Sequence, residues 1–277
     1  MFFAENETVA SALEKATRIL DSSLSARLDA EILLSFVLKQ DRPWLIANHN
    51  FCLDKKILKT YEKLIARRAK YEPVAYITGK KEFMGLDFYV DRNVLIPRPE
   101  TEILVETAID IIKEEPIKSI LEIGTGSGAL ICSVAYYSDA KFDMEALDIS
   151  AKAIEVAKRN ARQIGIEERI KFFKADIFDF DPGKRYDMIL VNPPYVKNSE
   201  IKNELLYEPF QALSGGANGM EFISLLLPKL SMLCKKVCLM EIGKNQDREV
   251  ACNAFFQTEF IKDLAGINRV MLLKKSE

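Results

Sequence analysis

Apolar positions recur at helical spacing through residues 1–70. Val9, Leu13, Ala16, Ile19 and Leu20 share one face of a helix expected over 8–20. Ser25 is placed to cap a second helix, whose expected apolar face is Leu28, Ile32, Leu33, Phe36 and Val37. Asp41-Arg42-Pro43 interrupts the pattern and can start a short third helix through Trp44 and Ile46. A fourth is expected over 54–69, with Ile57, Leu58, Tyr61, Leu64 and Ile65 inward. Such a bundle carries no chemistry of its own and suits packing or the presentation of a surface to a partner.

The texture changes over 71–97, where Phe83, Leu86, Phe88 and Val90 around Gly79 and Gly85 predict a β-hairpin. A helix then opens at 96–102. Pro99 lies near its first turn, and Glu100 and Glu102 sit where the helix dipole favours acids. Leu104, Val105, Ala108, Ile111 and Ile112 supply its apolar face, and Pro116 ends it. From there strand and helix alternate, the mark of a mainly parallel α/β sheet. Strands are expected at 119–123, 142–147, 170–174, 187–191 and 236–241, and helices at 129–137, 151–164, 220–233 and 246–258. A last strand at 269–273 is expected to run antiparallel at or beside an edge. The expected domains are a helical one over 1–80, a hairpin linker over 81–97 and an α/β domain over 98–277.

Composition narrows the class. With 48% hydrophobic and 29% charged residues the chain can bury a core. A net charge of -2 gives no global basic field of the kind that draws a protein to duplex DNA. The first twenty positions carry charges without a long apolar run, so no signal peptide is expected, and no stretch approaches the roughly 18 apolar residues of a membrane span. The cysteines at 52, 132, 234, 238 and 252 are odd in number and scattered, which predicts free thiols and a cytoplasmic location. His49 is the only histidine, and Cys234 and Cys238 lack a second ligand pair. Neither a zinc site nor histidine acid–base chemistry is expected.

Two stretches carry chemistry. Leu121-Glu122-Ile123 runs into Gly124-Thr125-Gly126-Ser127-Gly128, and Ala129 begins the next helix. Glycines suit a tight strand-to-helix turn whose backbone approaches a ligand closely. Asp148, ending the second strand, can accept hydrogen bonds from both ribose hydroxyls of an adenosine. Gly124, Gly126 and Ala129 also satisfy the relaxed dinucleotide pattern, so the loop alone admits either NAD or S-adenosylmethionine (SAM). Asp176-Ile177, after the third strand, lies where a methyltransferase holds the adenine amino group and ring, which favours SAM.

The second stretch is Asn192-Pro193-Pro194-Tyr195, directly after an expected buried strand. An amide or exocyclic amine is a poor methyl acceptor because its lone pair is delocalised. Its nitrogen must be fixed in line, with its N–H groups directed into acceptors. The Asn192 side-chain oxygen and the Pro193 carbonyl can be those acceptors, and the prolines stiffen the backbone that carries them. Tyr195 offers a flat face for a planar group. No strong base is needed, because the nitrogen becomes acidic only as the methyl bond forms; rate then comes from positioning and desolvation.

These residues resemble the glutamine methyltransferases that modify peptide-chain release factors, the HemK/PrmC family. The likeness takes in Arg27-Leu28-Asp29-Ala30-Glu31, Pro73-Val74-Ala75-Tyr76-Ile77-Thr78-Gly79 and Leu95-Ile96-Pro97-Arg98-Pro99-Glu100-Thr101-Glu102. It continues through the glycine loop, Asn192 to Tyr195, Tyr207-Glu208-Pro209, Gly215-Gly216 and Glu241-Ile242-Gly243 with Gln246. Asn-Pro-Pro-Tyr is shared with other amino-group methyltransferases and marks only the acceptor type. The Pro-Arg-Pro-Glu-Thr stretch is the release-factor form, where the ribosomal-protein enzymes carry a different sequence. The resemblance implies a seven-stranded, Rossmann-like SAM-dependent domain behind a helical domain that docks the protein substrate. The implied acceptor is the amide nitrogen of the glutamine in a Gly-Gly-Gln motif. Gly124 to Gly128, Asp148, Asp176, Ile177 and Asn192 would hold SAM. Asn192, Pro193, Pro194 and Tyr195 would form the glutamine slot, with Arg98, Thr101 and Glu102 shaping its roof. A monomer that needs no nucleic acid is expected. The rival readings are a ribosomal-protein glutamine methyltransferase, a nucleic-acid amino methyltransferase and, from the glycine pattern, a dinucleotide oxidoreductase.

Overall fold

Side-chain caps open three of the five helices at the start of the chain, while Ser25, expected to cap the second, makes no such bond. The structure, a computed structural model, describes residues 3, 7–138, 142–250 and 255–275. It divides into two units, Met1–Gly79 and Lys80–Glu277. In the first, α1 (Val9–Ile19) opens with a reciprocal capping box between Thr8 and Ser11. α2 (Ala26–Leu38) follows, then α3 (Arg42–Ala47) capped by Asp41, α4 (Lys55–Arg68) capped by Asp54, and α5 (Val74–Thr78) ended by left-handed Gly79. Their core joins Val9, Leu13 and Ala16 to Leu33, Leu34, Tyr61 and Ile65. The α2 face differs from the expected one. Leu28 and Phe36 are exposed, while Ala30, Leu33 and Leu34 turn inward. Asp29 is buried on that inner face in a 2.7 Å ion pair with Arg68 and accepts hydrogen bonds from Ser23 and Ser25. A charge this deep is tolerated because its acceptor sites are filled.

The second unit begins with the hairpin β1 (Lys80–Phe83) and β2 (Leu86–Tyr89). Met84 and Gly85 both have positive φ (51° and 69°), the geometry of a two-residue turn matched to strand twist. The hairpin expected as a linker packs inside this unit. Phe83 and Phe88 are buried in its core with Leu104, Ile131 and Leu190.

Beyond it come α6 (Glu102–Glu114), β3 (Ser119–Ile123), α7 (Ala129–Tyr137), β4 (Asp143–Asp148), α8 (Ala151–Ile164) and β5 (Ile170–Lys174). β6 (Tyr186–Val191), α9 (Phe210–Leu213), α10 (Glu221–Leu233), β7 (Cys234–Glu241) and α11 (Asp247–Val250) follow, and β8 (Gln257–Lys262) and β9 (Asn268–Lys274) close the unit. The seven strands run in the order β5-β4-β3-β6-β7-β9-β8. β9 pairs antiparallel with both β7 and β8, and the other pairs are parallel. One face of the sheet packs on α6, α7 and the hairpin, the other on α10. That is why every residue of β6 is buried, Asp187 included, and Met188 to Val191 read as one apolar run.

The expected helix over 246–258 is overturned. α11 covers only Asp247–Val250, residues 251–254 lie outside the described residues, and Gln257–Lys262 is the edge strand β8, laddered on β9. Thr258, Phe260 and Ile261 suit a pleated surface, and pairing outweighs an ambiguous local period.

Candidate active site

The sheet reverses its strand order at β3 and β6, and the carboxyl ends of parallel strands beside such a switch point are where α/β folds take ligands. Here β3, β4, β5 and β6 end around a cavity of about 300 Å³. Gly124, Thr125, Gly126 and Ser127 line it, together with Asp148, Asp176, Ile177, Asn192 and Pro194. Gly124 (φ 72°) and Gly126 (φ 52°) take left-handed backbone, and a Cβ on either would meet no protein atom within 4 Å. That free space is the cradle. Gly128 stands behind it, where a Cβ would lie 3.1 Å from Ala157 Cβ, so its smallness lets α7 start against α8.

Asp148 braces the loop as well as facing the cavity. Its Oδ2 accepts the Gly126 N–H at 2.9 Å and its Oδ1 the Ser150 N–H at 2.8 Å. Burial raises its pKa, and those two donors work against the rise. Asp176 accepts the Phe178 N–H at 2.9 Å. Asn160, fully buried on α8, exchanges two hydrogen bonds with the Tyr89 backbone and donates a third to the Ser127 carbonyl at 2.8 Å. The hairpin and the glycine loop are thereby held to one helix.

Glu122 lies under the loop and accepts a hydrogen bond from the Thr125 hydroxyl. Burial pushes its carboxyl up to about 8, and Asp148 adds to the rise. Between its ordinary value of 4.5 and about 8, the folded chain therefore holds a proton that the unfolded chain has released. Stability must fall as pH rises through that window. In thermal unfolding without added ligand, Glu122→Gln should flatten the decline of Tm with pH. Identical slopes in the two proteins would count against this assignment.

Asn93, Val94, Leu95, Pro97, Arg98 and Thr101 form the opposite wall. Glu208, with its side chain 1% exposed, holds that wall: it accepts the Ile96 N–H at 3.0 Å and pairs with Arg98 at 2.5 Å. A second cavity of about 110 Å³ lies alongside, lined by Pro193 and Tyr195 among others. Asn192, Arg98, Leu95 and Ala212 line both. Asn192 thus stands where the two spaces meet.

The Asn192 Nδ2 donates to Thr101 Oγ1 at 3.1 Å, and the Thr101 hydroxyl donates to Glu241 Oε2 at 2.6 Å. The Tyr195 hydroxyl donates to Glu241 Oε1 at 2.8 Å. Burial and the neighbouring Glu241 push the Tyr195 pKa far up, so the phenol remains a donor. Behind the tetrapeptide, Gln246 Nε2 donates to the Tyr195 and Gly219 carbonyls, while Gly215 donates to the Val196 carbonyl at 2.9 Å. Glu102 lines neither cavity. Its carboxylate accepts the Met84 N–H at 2.8 Å and steadies the hairpin turn.

Sequence reasoning assigned no role to Glu122, Asn160, Glu208 or Glu241. Asn160 had a signal, an amide among the apolar positions Val156, Ala157 and Ala161. Glu208 and Glu241 sit in stretches that carry the family likeness. Among the described residues no cluster of three or more His, Cys, Asp or Glu could hold a metal ion. Cys52, Cys132, Cys234 and Cys238 are free thiols.

Comparison with known proteins gives consistent results for both units. Residues 11–79 match the PrmC N-terminal domain and residues 100–217 the methyltransferase small domain. A release factor glutamine methyltransferase of Clostridium acetobutylicum is 39% identical over 262 residues, 88% of this chain and 90% of that protein. One from Koribacter versatilis is 36% identical, covering 97% of this chain and 99% of that protein. Among solved structures, the catalytic domain of hMettl16 in complex with an RNA hairpin superposes with a TM-score of 0.55 at 15% identity, covering 77% of this chain and 82% of that one. That likeness concerns the fold alone.

Proposed function

We propose that this chain, which belongs to the release factor glutamine methyltransferase family, transfers a methyl group from SAM to the side-chain amide nitrogen of the glutamine in a release factor's Gly-Gly-Gln motif. The observation that carries the reading is the position of Asn192, shared between a cavity floored by the glycine loop and a smaller one walled by Pro193 and Tyr195.

The open backbone at Gly124 and Gly126, with acids at two strand ends, fits an adenosine-bearing cofactor. Gly124 to Ser127, with Gly128 behind them, would hold it together with Asp148, Asp176, Ile177 and Asn192. When bound, SAM supplies an electrophilic methyl on a sulfonium. Asn192 Oδ1 takes one N–H of the acceptor amide and the Pro193 carbonyl takes the other. This keeps the nitrogen lone pair aimed at the methyl carbon. Pro194 stiffens the slot and Tyr195 packs on the amide plane. Arg98 and Thr101 close the roof, and Glu102 acts on it at one remove through the hairpin. Bound SAM would supply the methyl, with S-adenosylhomocysteine as the co-product. The nitrogen then loses its proton to solvent.

The test is a mass spectrum of release factor after incubation with SAM and this protein. One added methyl on the Gly-Gly-Gln glutamine is expected. Label appearing on a ribosomal protein or on nucleic acid, and not on release factor, would overturn the reading.

The first unit is assigned to docking the release factor, and the enzyme to acting as a cytoplasmic monomer that needs no nucleic acid. No helix among the described residues is long and apolar enough to cross a membrane. Removing residues 1–79 should weaken release-factor binding while leaving SAM binding near its full-length value. Parallel loss of both in calorimetry would argue for a different role.

A further inference from the structure

We propose that Glu241 is a positioning residue that dictates which end of the Asn192 amide faces the substrate, acting through the Thr101 hydroxyl. The inference rests on the methyl-transfer reading above and adds to it a residue remote from the reacting atoms.

Glu241 closes β7, is fully buried and has both carboxylate oxygens engaged, Oε2 by Thr101 at 2.6 Å and Oε1 by Tyr195 at 2.8 Å. Burial raises the Glu241 pKa, and the Thr101 and Tyr195 hydroxyls and Arg269 oppose that rise; ionised, the carboxylate only accepts, so each hydroxyl spends its single proton on it. Thr101 Oγ1 then has only lone pairs to offer Asn192, 3.1 Å away, and Asn192 must answer with its NH₂. Among the described residues no protein donor is recorded on Asn192 Oδ1. The relay therefore leaves an oxygen, and not an NH₂, available to the cavity.

That outcome matters because the two ends of a carboxamide are nearly the same size, and packing alone distinguishes them poorly. A flipped Asn192 would point N–H groups at the N–H groups of the acceptor. Tyr195 is held by the other oxygen of the same carboxylate, so one buried group sets both the hydrogen-bonding and the stacking side of the slot.

Glu241→Gln is the sharpest probe, because it keeps the shape and breaks the polarity. The Gln side chain can accept from one hydroxyl only and must donate to the other. Expected is a fall in kcat of roughly ten- to a hundredfold, the scale of a displaced reacting group, with SAM affinity unchanged. Thr101→Val should show a similar loss and Thr101→Ser should restore most of the rate. The Thr101→Val/Glu241→Gln double variant should be no slower than the worse single one, since both cut the same relay. Should Glu241→Gln fail to fold, the Thr101 pair carries the test.

A second measurement is independent of turnover. In protein labelled with ¹⁵N-asparagine, the Asn192 side-chain resonances, assigned by their loss in Asn192→Asp, should move in Glu241→Gln and Thr101→Val and stay in Thr101→Ser. Unmoved Asn192 resonances in Glu241→Gln, or wild-type kcat in that variant, would overturn the inference. If wild-type protein leaves release factor unmethylated, the functional reading fails while the resonances still decide the relay.

Discussion

Asn192→Ala is expected to lower kcat for methyl transfer by roughly 10²–10³-fold, the loss typical of removing one preorganised hydrogen-bond partner at a reacting centre. SAM affinity should change far less, because the glycine loop, Asp148 and Asp176 remain. The magnitude follows from what Asn192 does at the junction of the two cavities. Its oxygen would accept an N–H of a nitrogen whose lone pair is otherwise delocalised, and no histidine stands in either lining to substitute for it. Truncation also leaves the Thr101 lone pairs without their donor. Single-turnover measurement with saturating SAM separates the chemical step from binding. Wild-type turnover in this variant would show that the amide is held elsewhere.

Gly215→Ala is expected to cost about 10²-fold in turnover, although Gly215 lines neither cavity. A Cβ there would lie 2.5 Å from the Gly219 carbonyl oxygen and 2.8 Å from Tyr195 Cα. Both are backbone atoms, so relief requires the loop or the tetrapeptide to move. Stability should fall by about 1–3 kcal/mol from overpacking. Gly165→Ala provides the comparison. Gly165 has φ 86° with no protein atom within 4 Å of its Cβ position, so alanine there strains the α8 terminus without pressing on the site. The two variants should both melt earlier, by thermal unfolding, and only Gly215→Ala should lose turnover. Equal turnover in both would mean that the tetrapeptide tolerates displacement.

These two expectations differ in how far they could be read from the chain. The role given to Asn192 came from local chemistry, an amide and two prolines after a buried strand. The constraint on Gly215 exists only because the loop at Gly215–Gly219 folds back on Tyr195. The same divide runs through the fold. β3 and β6 were legible because they are buried and largely apolar, with Ile120, Leu121 and Ile123 in one and Met188 to Val191 in the other, bounded by turn residues. β8 was missed because its short mixture of Thr, Phe and Ile has no decisive period of its own, and it becomes a strand by pairing with β9. On α2 the spacing was right and Leu33 and Val37 lie on the core side as expected, but the face is rotated. Asp29, a charge, turns inward to meet Arg68, and this rotates Leu28 and Phe36 outward.

The sequence by itself determined most of the element types, β8 excepted, and with them the glycine loop, the acids that end the strands and a tetrapeptide read as the mark of a planar nitrogen acceptor. Those are local properties: a period, a backbone torsion, a residue's donors and acceptors. Only the tertiary structure decided what lies beneath them. Thr101 reaches Glu241 across 140 positions and Asn192 across 91. Glu208 reaches Ile96 across 112. No local pattern encodes such pairs, because a hydrogen bond depends on separation in space, and the sheet brings these residues together only once its strands have taken their order.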